Sequence, residues 1–157
     1  MPEETLPDGY LISDDPARLD VAAIHAYLTR SYWAAGIPRE IVERAVRSSL
    51  CLGLYTVAGE QVGLVRVVTD YATFAWLCDV YVLEPHRGHG LSKALMRAVL
   101  AHPWLQTVRR FTLATRDAHG LYAQFGFTPV AKPESQMEKR QPQPWQQPAP
   151  LQRSAPG

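Results

Sequence analysis

Residues Arg87-Gly88-His89-Gly90-Leu91-Ser92-Lys93 combine basic side chains with two glycines, the inventory for holding a phosphate. Glycine lets a backbone approach a ligand closely because no Cβ stands in the way. The apolar stretch Val80-Tyr81-Val82-Leu83 runs into this turn. Directly behind it, Leu91, Leu95, Ala98 and Val99 recur at i, i+4, i+7 and i+8, the spacing of an amphipathic helix. A helix starting there offers unpaired N–H groups and the positive end of its dipole to an anion. Rival phosphate motifs fit worse. A Walker loop needs Gly-Lys-Ser/Thr after its spacer, and a dinucleotide fingerprint needs a third small residue and a later acid. On this segment alone, a phosphate site and a plain strand-to-helix connector stand equal.

Other residues carry chemistry of a different kind. Asp79 interrupts the otherwise apolar run from Phe74 to Leu83. An unpaired carboxylate there would cost on the order of several kcal/mol or titrate abnormally. Two readings are open: a general base, or an ion pair with Arg66 diagonally across a hairpin turning near Tyr71-Ala72. Tyr122 shares a helical stripe with Ala118, Leu121 and Phe125, the pattern of a core face. Asp117 is a natural helix cap, and His119 follows within the same turn. With Tyr32, Trp33 and Trp76, these two are candidates for a substrate pocket, whose aromatic wall would also draw on Tyr71 and Phe74. An aromatic and acidic pocket suits a cationic amine.

These residues need a scaffold, and the pattern predicts one. Tyr10–Ser13 reads as a strand, followed by a helix capped by Asp15 and running to Thr29, burying Leu19, Ala22, Ala23, Ala26 and Tyr27. A second helix starts at Pro38. Strands are expected over Leu50–Val57, Val62–Asp70 and Phe74–Leu83, the last in a central position covered on both faces. Then come the helix after the glycine turn, a strand Arg110–Ala114, a short helix Ala118–Phe125 and a final strand from Phe127. The order β-α-α-β-β-β-α-β-α-β makes an α/β fold with a mixed, mostly antiparallel central sheet and helices on both faces.

The chain has 157 residues, 46% of them hydrophobic, with a formal net charge of +1. That supports one globular domain, residues 1–131, and argues against a dedicated nucleic-acid binder or a membrane protein. Residues 132–157 turn Pro- and Gln-rich around Trp145 and read as a disordered tail. Cys51 and Cys78 fit small buried hydrophobes of a reducing, cytoplasmic compartment, and no metal site is expected.

The glycine turn resembles the pyrophosphate-binding motif of the GNAT superfamily of acyl-CoA-dependent N-acetyltransferases, Gln/Arg-x-x-Gly-x-Gly/Ala. Here it falls on Arg87 to Ser92, with Ser in the last position. Downstream, Tyr122-Ala123-Gln124-Phe125-Gly126-Phe127 resembles the family's Tyr-x-x-x-Gly-Phe, in the expected order. The resemblance implies acetyl-CoA as acetyl donor, its pantetheine arm on Val80, Tyr81 and Val82. Its pyrophosphate would lie on Arg87, Gly88, His89, Gly90, Leu91, Ser92 and Lys93. It also implies Tyr122 as the acid for the leaving thiolate, and some relatives carry an acid where Asp79 stands. The family's usual asparagine is Thr115 here.

Such an enzyme must deal with charge. A primary amine with a pKa of about 10.4 is almost wholly protonated at neutral pH, so it needs a base, and the departing thiolate needs an acid. The expectation is transfer to a small-molecule amine rather than a protein, by direct attack in a ternary complex. A non-catalytic acyl-CoA-binding module is the alternative, and a homodimer is left open.

Overall fold

A computed structural model describes residues 1–142 and 144–146. Six strands form one sheet in the order of the chain: β1 (Glu4–Thr5), β2 (Leu11–Ser13), β3 (Leu50–Tyr55), β4 (Gln61–Thr69), β5 (Phe74–Val82) and β6 (Arg110–Leu113). Every neighbouring pair is antiparallel except β5 and β6, which run parallel. The parallel pair is joined by α3 (Leu91–Leu100), the crossover that parallel strands require. Helices α1 (Val21–Leu28) and α2 (Arg39–Arg47) precede β3, and α4 (His119–Ala123) follows β6.

Helices cover both faces of the sheet. Leu91, Ala94, Leu95, Met96, Ala98 and Val99 of α3 are buried with Leu52, Val65 and Leu77 on one face. Ile24 and Leu28 of α1 and Val42 and Val46 of α2 pack with Leu64 and Tyr81 on the other. Leu95 is wholly buried, and burying such a side chain contributes about 1.5–3 kcal/mol. No helix among the described residues is long and apolar enough to cross a membrane.

The expected fold class is present, with local corrections. Asp15 caps only a short 3-10 turn, Pro16–Arg18; Leu19 is extended, and Asp20 caps α1 by accepting from the Ala23 amide. The helix starts five residues later than expected, and a different face is buried. Ile24 and Leu28 enter the core, whereas Ala22 and Ala26 are exposed. The strand expected from Phe127 does not form, and no strand follows β6 among the described residues. Strand β5 has a neighbour on each side, yet Phe74 and Trp76 are open to solvent on one face. The tail reading for residue 143 and residues 147–157 lies outside the described residues. Trp145 is described: its indole N–H donates to the Ala35 carbonyl at 3.0 Å, and its ring packs against the α1–α2 cluster.

Candidate active site

The site is created by a defect in β5. Leu64 pairs with Tyr81 and Arg66 with Cys78, so Asp79 and Val80 together oppose the single residue Val65. This is a β-bulge, and Asp79 takes the left-handed conformation it requires, at φ 49°. For a non-glycine residue that conformation costs about 1–2 kcal/mol. Pairing between β5 and β6 ends at Leu77–Leu113, just before the bulge. Beyond that point the two strands part, and a cleft of 1020 Å³ opens between them.

At one end of the cleft lies the glycine turn. Gly88 and Gly90 both have positive φ, 89° and 70°, and a Cβ at either would meet only open space. It is therefore the backbone conformation that demands glycine here. Gly90 is the N-cap of α3 and no side chain caps the helix. The first amides of α3, at Leu91, Ser92 and Lys93, have no intrahelical acceptors by geometry, which suits them to an anion. Arg87 donates through Nε to the Val82 carbonyl at 2.9 Å, which ties the turn to the strand end. Leu91 offers only its backbone, because its side chain is in the core. Two residues not anticipated from sequence buttress the turn: Tyr10 Oη lies 2.8 Å from His86 Nδ1, and the Tyr10 ring also meets His89. Val80, Tyr81, Val82, Arg87 and Ser92 line the cleft. The whole fits a phosphate-bearing ligand with a narrow extended arm.

Around the bulge lies the second half of the site. Asp79 Oδ2 accepts from Arg66 Nε at 2.6 Å, and Asp79 Oδ1 accepts from the Trp33 indole at 2.8 Å. The ion pair raised from sequence is thus present. Burial would lower the Arg66 pKa, yet the adjacent Asp79 carboxylate raises it overall. Tyr122 is buried on the cleft wall, edge-on to Phe127. Its phenol makes no hydrogen bond to the described residues, and burial raises its pKa.

The acceptor candidates divide. Tyr32, Trp33, Trp76 and Asp117 line the cleft, and His119 does not. Tyr71 belongs elsewhere, edge-on to Trp104 beside a smaller cavity, and Phe74 is also off the wall. Asp117 does not cap α4. The Thr115 hydroxyl accepts from the Ala118 amide at 3.0 Å instead, and Asp117 points to solvent near Arg116. Tyr27 was expected in the core, yet it forms part of the wall by stacking on Tyr81, 3.8 Å between centroids. Arg30, Arg116, Arg140 and Cys78 also line the cleft without having been singled out from sequence. Arg116 lay inside a stretch already suspected, whereas nothing in the pattern marked Arg30 or Arg140.

Comparison with known proteins decides the family. The acetyltransferase (GNAT) domain profile matches residues 47–129, from the end of α2 to just beyond Tyr122-x-x-x-Gly126-Phe127. The chain belongs to the GNAT acetyltransferase family. It is 36% identical over 144 residues to a candidate acetyltransferase of Gibberella zeae, covering 77% of this chain and 80% of that one. A crystal structure of a candidate GNAT acetyltransferase from Xanthomonas campestris pv. campestris shares 52% identity. It has a TM-score of 0.84 over 88% of this chain and 97% of its own. A more distant structure, a candidate acetyltransferase of Deinococcus radiodurans R1 at 21% identity, shares the fold with TM-score 0.64 over 89% of this chain and 93% of its own.

Proposed function

We propose that this GNAT protein transfers an acetyl group from acetyl-CoA to a primary amine on a small molecule, by direct attack in a ternary complex. One observation carries the reading. The parted strands β5 and β6 form a continuous cleft from the uncapped start of α3 to Tyr122 and the Asp79 bulge. The pyrophosphate lies on the amides from Gly88 to Lys93, with Arg87, His89 and Lys93 around it. The pantetheine arm runs along Val80, Tyr81 and Val82, where the bulge frees backbone groups from pairing with β6.

The amine enters from the side of α1, between Trp33 and Trp76. Asp79, paired with Arg66, accepts the ammonium proton directly or through water, leaving a neutral nitrogen to attack the thioester carbonyl. The new C–N bond forms, the C–S bond breaks, and the thiolate takes the phenolic proton of Tyr122. Raising the Tyr122 pKa by burial keeps that proton in place until a thiolate needs it. Cys78 supports direct attack over a covalent relay. Burial pushes its thiol up to about 11, so it stays protonated and a poor nucleophile.

Initial-rate kinetics test the order of events. Varying acetyl-CoA at several fixed amine concentrations gives intersecting double-reciprocal lines for a ternary complex. Parallel lines, with acetyl trapped on the protein, would overturn direct attack.

A further inference from the structure

The acceptor end of the cleft is aromatic, as expected, but it is cationic rather than acidic. Four arginines and two aspartates line the whole cleft. Asp79 is already engaged by Arg66 and Trp33, and Asp117 is exposed beside Arg116. Arg87 turns to the Val82 carbonyl at the phosphate end. Arg30 and Arg116 remain, with Arg140 at the rim beside Glu138 at 3.1 Å, and ring contacts connect Arg30 and Arg116 to the surroundings of Asp79. Arg116 lies over the Tyr32 ring at 3.9 Å, and Tyr32 meets Trp33 edge-on. Trp33 donates to Asp79 and neighbours Tyr27, over which Arg30 lies at 5.3 Å. Arg140 comes from an exposed arm, residues 131–142, beyond which Trp145 anchors the chain on Ala35 next to the same loop. A guanidinium resting on a ring is fixed in direction and still presents its N–H edge, a planar fork that matches a carboxylate.

We propose that the acceptor is an amino acid or related amine bearing a carboxylate, its amino group directed to Asp79 and its carboxylate to Arg30 and Arg116, with Arg140 closing over it. This rests on the transferase reading above and narrows it. The charges are complementary at both ends: one carboxylate deep in the cleft for the ammonium, guanidiniums at the rim for the anion. A purely cationic amine would meet charges of its own sign at Arg30 and Arg116. A phosphate-bearing amine shares the chemistry, so the test separates the two anions.

The experiment uses the full chain with saturating acetyl-CoA and follows thiol release. Phenylalanine, phenylalaninamide and phenethylamine form one series; β-alanine and O-phosphoethanolamine form another. The carboxylate member of each series is expected to show at least about tenfold higher kcat/KM, the scale of one charge-assisted hydrogen bond. Arg116→Gln and Arg30→Gln are expected to bring the phenylalanine-to-phenylalaninamide ratio towards one; both side chains are exposed, so the fold is retained. Equal or better use of the amide or phenethylamine overturns the proposal, as does a preference that neither substitution alters. Better use of O-phosphoethanolamine overturns the carboxylate in favour of phosphate. Calorimetry separates the levels: acetyl-CoA bound with no carboxylate amine used overturns the acceptor class alone, whereas no acetyl-CoA binding overturns the transferase reading as well.

Discussion

Arg66 Nε sits 2.6 Å from Asp79 Oδ2, with the side chains 18% and 8% exposed, at the point where β5 bulges and leaves β6. The pair ties the bulge to β4 and sets the Asp79 carboxylate on the cleft wall, two roles that can be measured apart.

Asp79→Asn preserves the left-handed backbone, which asparagine tolerates, and removes only the charge. Loss of the partner leaves Arg66 uncompensated and is expected to cost roughly 1–3 kcal/mol in thermal unfolding. If Asp79 also takes the ammonium proton, kcat falls about 100-fold in this variant with the acetyl-CoA Kd unchanged. A lower melting temperature with an unchanged kcat would leave Asp79 a structural residue.

Tyr122→Phe keeps the ring packed against Phe127 and deletes the proton donor. We expect kcat to fall by about 10- to 100-fold with the acetyl-CoA Kd unchanged, since an acid acts only as the thiolate leaves. Steady-state kinetics paired with calorimetry check this, and unchanged turnover removes the acid role.

Gly90→Ala tests the phosphate site. The new methyl meets no atom, so any effect arises from the φ of 70°. Forcing alanine into that conformation is expected to cost about 1 kcal/mol and to weaken acetyl-CoA binding about tenfold as the first amides of α3 turn away. In the wild type, binding weakens as salt rises, because the contact is between charges.

Asp70 gives a prediction for acid. Its carboxylate accepts from the Thr73 hydroxyl and from the amides of Thr73, Ala72 and Phe74, closing the β4–β5 turn, and these bonds hold its pKa far below the ordinary carboxylate range. The folded state keeps Asp70 ionised at a pH where the unfolded chain protonates it. Its contribution is thus fully present above the unfolded value of about 3.9 and is lost progressively as pH falls below it. The melting-temperature gap between wild type and Asp70→Asn should narrow below about pH 4; a constant gap contradicts the assignment.

The glycine-turn end of the cleft was legible in sequence because it is local. One strand, two glycines and one helix start, contiguous from Val80 to Lys93, make it. The aromatic end is assembled from distant segments: Trp33 reaches Asp79 across 46 positions, and Trp145 reaches Ala35 across 110. No periodicity announces such contacts. The bulge at Asp79 was also hidden, since a polar residue in an apolar run signals burial or pairing without indicating backbone conformation. For α1, Asp15-Pro16 looked like a helix start, but Asp20 supplied a second cap that moved the register. The strand expected after Phe127 does not form, and β6 stays an edge strand of the sheet, for which nothing in the structure gives a reason.

The proposed reaction moves acetyl from acetyl-CoA to an amine in the cleft between β5 and β6. The most direct measurement mixes the full chain with acetyl-CoA and quantifies free thiol and N-acetylated product together, with and without an amine acceptor. Equal amounts of both are expected, dependent on the amine and formed about 10- to 100-fold more slowly with Tyr122→Phe. Acetyl-CoA that binds and stays intact whatever amine is supplied would contradict this reaction.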